Sequence, residues 1–239
     1  YRTAVRSERY DLVLDTQGLI KSALLARQAP GRLAGYAAEA AREPLAARFY
    51  DDTYAIPRNL HAVERNRRLA AAALGCEPNL PLDYGIAAAP LAAAWLPAAP
   101  YCVLLTASSR ADKLWPEAGW LQLAAALNAR GLVCVLPGGS AEERERAARL
   151  AGGMAQAVAA PPMGIAELAR LLAGARLVVG VDTGLSHIAA ALGRLTFCLF
   201  AGSHPELTGV HAGDTAINLG GAGAAPTPSQ VVAAVTERL

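Results

Sequence analysis

The sequence predicts an α/β protein built on parallel β-sheets with helices on both faces. Of its 239 residues, 54% are hydrophobic, which is sufficient for a sizeable buried core. Apolar runs such as 176–181 and 195–200 are continuous instead of alternating with polar residues, as is typical of strands buried on both faces. Helical patterns separate these runs, and this alternation is the signature of repeated β-α-β units.

The first third of the chain contains one clear β-α-β unit. "YDLVLD" (10–15) is predicted to be a strand, "GLIKSALLARQ" (18–28) a helix and "GRLAGY" (31–36) a second strand. A longer helix at 60–75 ends at Gly75, a residue type that commonly follows a helix. The proline-rich stretch 78–100 is predicted to separate this part from the rest.

The remainder of the chain repeats the alternation more regularly. Strands are predicted at 101–107, 132–137, 156–160, 176–181 and 195–200. Helices are predicted at 116–131, 141–152, 164–175 and 227–239, with a further small-residue helix ending near Gly193. Thr227 and Gln230 form a capping-box pair at the start of the last helix. These elements indicate a parallel sheet covered on both faces.

Composition excludes several classes of protein. With 22 Lys and Arg against 20 Asp and Glu, net charge indicates no nucleic-acid partner. The four cysteines show no C-x-x-C spacing and three lie in apolar runs, so we expect buried free thiols in a reducing cytoplasm, and no metal site. Residues 84–109 carry no charge, but prolines interrupt them, which favours a linker and a strand over a membrane span.

Polar residues crowd the joint between strand 176–181 and the next helix, in "VDTGLSH". Ligands of parallel α/β sheets bind beyond the carboxyl ends of the strands, where the free amides of a helix start can hold a phosphate. Thr183, Gly184 and Ser186 suit such a cradle. Asp182 and His187 suit a sugar hydroxyl or each other, although an N-cap aspartate and a packed helix histidine would give the same pattern.

A second joint follows strand 101–107, in "SSRADKLWPE". Ser108, Ser109, Arg110 and Lys113 suit a diphosphate that gains negative charge as it leaves, with Lys113 the preferred cation. A lysine in a loop is also commonly just solvated. We expect Trp115 and Trp120 to pack against the core.

Two further joints offer nucleotide contacts. In "LPGGSAEERERA" one glutamate could accept from ribose hydroxyls, yet acidic residues in a first helical turn are favourable in themselves. In "PPMGIAEL", Met163 suits an adenine face or the core. The chain contains neither G-x-G-x-x-G nor G-x-x-x-x-G-K-[ST], which disfavours a dinucleotide fingerprint or a P-loop.

Six segments together resemble the ADP-heptose lipopolysaccharide heptosyltransferases of glycosyltransferase family 9. They are "DTQGLIKSALL", "AREPLAARFY", "HAVERN", "TASSRADKLWPEAGW", "LPGGSAEERERA" and "VGVDTGLSHIAAALG", in that order. The resemblance runs from about Tyr10 to the C-terminus, and D-T-G-L-S-H is its most specific element.

The resemblance implies a GT-B architecture of two Rossmann-like domains facing a cleft. Residues 1–85 would be the remainder of an acceptor-binding domain, and residues 86–239 a sugar-nucleotide-binding domain whose last helix can pack back on the first. The implied donor contacts are Ser108, Ser109 and Lys113 to the diphosphate, Thr183, Gly184 and Leu185 through their amides, Glu143 to ribose, Met163 to adenine, and Asp182 and His187 to heptose and phosphates. The implied acceptor contacts are Arg42 and Lys21.

The implied reaction is inverting transfer of L-glycero-D-manno-heptose from ADP-heptose to Kdo of Kdo2-lipid A. Lys113 and Asp182 are the expected catalytic residues, without metal or other cofactor. The S-x-L-G-D element of the family, with the aspartate proposed as general base, has no counterpart here, so we expect the chain to be incomplete at its amino end. We further expect a cytoplasmic monomer, peripheral on the inner membrane. Alternatives are a different inner-core acceptor, a nucleotide-sugar-binding fragment without catalysis, or a sugar-nucleotide epimerase.

Overall fold

The computed structural model describes residues 2–78, 81–108 and 110–239. The chain divides into two compact units, Tyr1–Pro81 and Leu82–Leu239, called here the N-terminal unit and the C-terminal unit. Each unit contains a sheet whose strand pairs are all parallel. The predicted α/β class with parallel sheets is therefore confirmed.

The N-terminal unit holds a three-stranded sheet in the order β1-β2-β3. Its elements are α1 (Arg2–Val5), β1 (Leu12–Asp15), α2 (Ile20–Ala26), β2 (Arg32–Tyr36), a 3₁₀ helix (Pro44–Phe49), β3 (Asp52–Tyr54) and α3 (Ala62–Leu74). Gly75 ends α3 with φ of 68°, as its position after the helical pattern predicted. Strand β3 has three residues and no apolar run, which is why the sequence pattern gave no sign of it.

The C-terminal unit holds a six-stranded sheet in the order β6-β5-β4-β7-β8-β9. Its elements are β4 (Tyr101–Leu105), a 3₁₀ helix (Ala111–Lys113), α4 (Glu117–Asn128), β5 (Val133–Leu136), α5 (Ala141–Gly152), β6 (Ala157–Ala159), α6 (Ile165–Gly174), β7 (Leu177–Val181), α7 (Gly184–Ala191), β8 (Thr196–Phe200), α8 (Pro205–Thr208), β9 (Ala216–Gly220) and α9 (Pro228–Glu237). Helix α9 starts with the predicted capping box of Thr227 and Gln230. Strand β9 and the single-turn helix α8 were not predicted.

The central strands of this sheet are buried on both faces, and alternate side chains enter two separate cores. Cys102 and Leu104 of β4 join one core, and Val103 and Leu105 join the other. Helices α4, α5 and α9 cover the first face, and α6 and α7 cover the second. Trp115 and Trp120 lie in the first core with ring centroids 5.1 Å apart, which confirms that they are packing residues.

The strand order of the C-terminal unit reverses between β4 and β7. From β4 the chain continues outward to β5 and β6, and it then returns to the other side of β4 to form β7, β8 and β9. Such a reversal leaves a crevice at the carboxyl ends of the two central strands, because the helices that follow them lie on opposite faces. The loops after β4 and β7 therefore meet at one place.

Candidate functional site

Lys113 and Asp182 meet at the crevice between β4 and β7. Lys113 ends the 3₁₀ helix after β4, and its Nζ donates to Asp182 Oδ2 at 2.7 Å. Their side chains are 19% and 10% exposed, so the pair is largely shielded from water. The interpretation of Lys113 as a solvated loop lysine is therefore wrong. Asp182 is not the N-cap of α7 either, because Thr183 occupies that position.

Ser203 is a second donor to Asp182, and sequence reasoning missed it. Its Oγ donates to Asp182 Oδ2 at 2.6 Å from the loop after β8. His187 Nε2 lies 3.9 Å from Asp182 Oδ1, which is too long for a hydrogen bond but close enough for an electrostatic contact. His187, Lys113 and Ser203 hold the pKa of the Asp182 carboxyl well below its usual range, against the opposing effect of burial.

The start of α7 presents backbone amides at the same place. Thr183 makes no side-chain cap, and the first amides of a helix have no partner within it. Thr183, Gly184 and Leu185 are therefore available to an anion through their N–H groups. Ser186 was expected to share this role, but its side chain is fully buried and its Oγ donates to the Val181 carbonyl at 2.9 Å. Through this hydrogen bond Ser186 links α7 to β7, and it does not face a ligand.

Glu143 and the start of α7 line one hollow of about 110 Å³. Thr183 and Leu185 form one side of this hollow, and Gly138 and Gly139 form another. Glu143 Oε2 accepts from the amides of Gly139 and Ser140 at 2.7 and 3.2 Å, as the second half of a capping box for α5. The structure confirms the helix-capping role of Glu143, and the ribose contact stays a prediction for a residue that lies beside the hollow.

The other expected donor contacts lie in the same unit. Met163 is partly buried and packs against the core under α6, so one part of its surface remains open. Ser108 is partly buried in the loop after β4, where its Oγ accepts from the Arg110 amide at 3.5 Å. Arg110 forms an ion pair with Asp112. Ser109 lies outside the described residues.

Lys21 and Arg42 lie in the N-terminal unit, on two loops that are joined by hydrogen bonds. The Glu43 amide donates to the Gly18 carbonyl at 2.9 Å, and the Ile20 amide donates to Glu43 Oε2 at 2.7 Å. Lys21 follows Ile20 and Arg42 precedes Glu43, so the two cations flank this joint. Both are exposed, and within the described ranges neither forms an ion pair.

Two larger hollows are lined by other residues than Lys113 and Asp182. One of about 520 Å³ lies where β4 and β7 begin and is lined by the exposed residues Arg130 and Arg176. One of about 470 Å³ lies beside β1 and has mostly apolar walls. Neither combines a shielded ion pair with a helix start, so size alone does not identify the site.

Among the helices of the described residues, none has the length and apolar composition that a membrane span requires.

Comparison with known proteins matches most of the chain to a family by sequence. The sequence profile of glycosyltransferase family 9 (heptosyltransferase) matches residues 1–233. The chain is similar to lipopolysaccharide heptosyltransferase 1 of Pseudomonas aeruginosa, with 46% identity over 92% of this chain and 62% of that protein. It is also similar to lipopolysaccharide heptosyltransferase 1 of Salmonella typhimurium, with 45% identity over 87% of this chain and 67% of that protein.

A solved structure shows the same fold. The Escherichia coli heptosyltransferase WaaC with ADP-2-deoxy-2-fluoro heptose superimposes with a TM-score of 0.80 and 39% identity, covering 99% of this chain and 73% of that chain. The chain thus spans about two thirds of the length of the curated relatives it matches.

Proposed function

Because the chain belongs to glycosyltransferase family 9, the heptosyltransferases, we propose that it binds ADP-heptose and serves in transfer of the heptose to Kdo of Kdo2-lipid A. The observation that carries this proposal is the contact of the Lys113 ammonium with Asp182, directly before the start of α7, at the crevice between β4 and β7. The names of the similar proteins favour the same reaction, since two are lipopolysaccharide heptosyltransferases 1 and WaaC was solved with a fluorinated ADP-heptose.

In this proposal, Lys113 and the helix start stabilise the departing ADP. The bond between the anomeric carbon and the diphosphate breaks, and a Kdo hydroxyl attacks the opposite face of the sugar, which inverts the anomeric centre. Negative charge grows on the diphosphate during this step, so a preorganised ammonium and the Gly184 and Leu185 amides lower the barrier. The general base that takes the hydroxyl proton is not among the residues that we assign.

A carboxylate such as Asp182 is unfavourable beside a diphosphate, because two anions repel each other. Its Oδ2 accepts from Lys113 and Ser203, and His187 faces Oδ1, so Asp182 keeps a hydroxyl and an imidazole as neighbours when the ammonium turns to a phosphate. We propose that Lys113 exchanges the carboxylate for a phosphate oxygen when ADP-heptose binds, and that Ser203 then keeps Asp182 in place. Asp182 and His187 are left beside the heptose.

Glu143 and Met163 are the proposed adenosine contacts. Glu143 uses Oε2 for the α5 cap, and within the described ranges its Oε1 carries no hydrogen bond, so Oε1 is free to accept from ribose hydroxyls. The open part of Met163 suits an adenine face. Ser108 would add a hydroxyl contact to the diphosphate from the loop after β4.

Lys21 and Arg42 are the proposed acceptor contacts. Kdo2-lipid A carries carboxylates and phosphates, and two exposed cations on joined loops are complementary to such groups. Since lipid A is membrane-embedded, the proposal also includes peripheral association with the cytoplasmic face of the inner membrane, with the protein acting as a monomer.

A thermal-shift titration tests the donor assignment without requiring turnover. We expect ADP-heptose and ADP to raise the melting temperature of the chain, and UDP-sugars to leave it unchanged, because ligands that bind the native state stabilise it. Equal stabilisation by uridine nucleotides, or none by ADP, would contradict the proposal.

Two alternatives differ in what the intact enzyme does after donor binding. The first alternative is a different inner-core acceptor, and a panel of such acceptors distinguishes Kdo2-lipid A from the others.

The second alternative is donor binding without catalysis. It is favoured because the chain leaves part of each relative unmatched. Heptose transfer assayed with the chain alone separates binding from catalysis.

A further inference from the structure

Asp15 is a buried carboxylate at the carboxyl end of β1, and the proposed reaction gives it no role. It is 5% exposed. Its Oδ1 accepts from the amides of Gln17 and Gly18 at 2.8 and 3.4 Å. Its Oδ2 accepts from Ser22 Oγ at 2.7 Å and from the Tyr50 hydroxyl at 2.8 Å. All four donors are neutral, and among the described residues Asp15 belongs to no ion pair.

The hydrogen bonds to Asp15 fix the shape of the loop after β1. Gly18 takes φ of +65°, and a Cβ at this position would come within 3.2 Å of the Arg42 amide nitrogen, so the two loops touch through their backbones. Glu43 then links them twice, through its amide to Gly18 and through its carboxylate to the Ile20 amide. The position of Arg42 relative to Lys21 therefore depends on the loop that Asp15 holds.

The Tyr50 ring is also tightly packed against β2. Its ring packs over Gly35 of β2 so closely that an added Cβ would overlap it. Burial first, and then the hydrogen bond to Asp15, raise the pKa of the Tyr50 hydroxyl, which keeps it protonated and donating. Tyr50 thus joins the loop after β1 to the end of the 3₁₀ helix that follows Arg42.

We propose that Asp15 and Tyr50 are positioning residues for the acceptor, and that they hold Lys21 and Arg42 at the spacing that an acidic saccharide requires. This inference rests on the proposed function, because that function supplies the acidic acceptor. Among the described residues at this joint, the acids Asp15 and Glu43 accept from donors of the loop itself and pair with neither Lys21 nor Arg42. An anionic sugar that bridges the two cations would gain from both without rearranging either loop.

The test compares two buried tyrosine hydroxyls. Tyr50→Phe removes a donor to Asp15, whereas Tyr101→Phe removes a hydroxyl that donates to the Leu171 carbonyl at 2.8 Å in the C-terminal unit. Binding of deacylated Kdo2-lipid A is measured by calorimetry, and kcat and KM for both substrates are measured in the intact enzyme. We expect Tyr50→Phe to weaken saccharide binding and raise the acceptor KM about 3- to 10-fold, at unchanged ADP-heptose affinity. Tyr101→Phe should change neither the saccharide affinity nor the acceptor KM.

Asp15→Asn serves as the second variant and should have a larger effect in the same direction, with unfolding monitored separately. Unchanged saccharide binding in a folded Tyr50→Phe protein would overturn the inference, as would a parallel loss of donor affinity. Failure of the wild-type chain to bind the saccharide would overturn it as well. Saccharide binding that weakens in Tyr50→Phe without any heptose transfer would uphold the inference and overturn the proposed function.

Discussion

Asp15 is the last residue of β1 and Asp182 directly follows β7, so each lies at the carboxyl end of a parallel strand, yet the two are held in different ways. Four neutral donors surround Asp15. Asp182 instead faces an ammonium, a hydroxyl and an imidazole. An anionic ligand attracts the charged Lys113 ammonium more strongly than it attracts buried neutral donors. The comparison indicates that the first carboxylate maintains a shape and the second belongs to a site that rearranges when its ligand binds.

The largest effect should come from removing the cation of the exchangeable pair. Lys113→Ala in the intact enzyme is expected to raise the activation barrier by about 2–4 kcal/mol, as loss of an oxyanion donor does, with a smaller loss of ADP-heptose affinity. Steady-state kinetics and donor titration measure the two quantities. Arg149→Ala is the control, because Arg149 is an exposed cation on α5 that pairs with Glu117. An unchanged kcat for Lys113→Ala would remove the basis of the proposed mechanism.

Asp182→Asn tests the ion pair of Lys113 and Asp182 through the free energy of unfolding. The substitution leaves a shielded ammonium without its carboxylate, and we expect the free energy of unfolding to fall by about 1–3 kcal/mol at neutral pH. Because the folded state lowers the pKa of the Asp182 carboxyl, its contribution is present above the unfolded value of about 4 and is lost as the pH falls below it. Urea denaturation at several pH values should show the difference between wild type and variant shrinking on acidification. A difference that grows at low pH would contradict this.

Gly35→Ala tests the fixed carboxylate in the N-terminal unit. The new Cβ would overlap the Tyr50 ring and push its hydroxyl away from Asp15, at a cost of about 1–3 kcal/mol. Hydrogen exchange should increase in peptides covering 12–54 and stay unchanged in peptides covering 177–200. Gly152→Ala is the control, because a Cβ there meets no atom within 4 Å. An equal increase of hydrogen exchange in both units would contradict this prediction, because the effect of Gly35→Ala would then not be confined to the N-terminal unit.

The smallest effect is expected from one cation at the joined loops. Arg42→Ala should raise the acceptor KM several-fold, corresponding to about 1 kcal/mol, because Lys21 remains in place. ADP-heptose affinity should be unaffected, since no donor contact is assigned to the N-terminal unit. Kinetics with each substrate varied in turn separates the two parameters. A change confined to the donor would refute the acceptor role of Arg42.

The fold was largely predictable because its central strands are continuous apolar runs. Val178 and Phe197 belong to strands that the runs identified directly, and the capping box at Thr227 located the last helix. Strand β9 was not predicted because its residues are only partly buried at a sheet edge, so its hydrophobic pattern is weak. Pairing with β8 stabilises it, and that pairing is a tertiary effect.

The site was predictable where a strand end coincided with a recognisable motif. Lys113, Asp182 and Thr183 came together as the carboxyl-end rule requires. Ser203 follows β8 in the same way that Asp182 follows β7, so the same rule could have indicated it, but no motif marks the loop. Ser186 was misassigned because its position one turn into the helix does not reveal that it faces Val181.

A crystal structure of the chain with ADP would show directly whether Lys113 changes partners when the nucleotide binds. We expect the diphosphate at the Gly184 and Leu185 amides, with Lys113 Nζ moved from Asp182 to a phosphate oxygen and Ser203 still bound to the carboxylate. ADP bound elsewhere, for example beside Arg130 and Arg176, with the Lys113 and Asp182 contact intact, would contradict it.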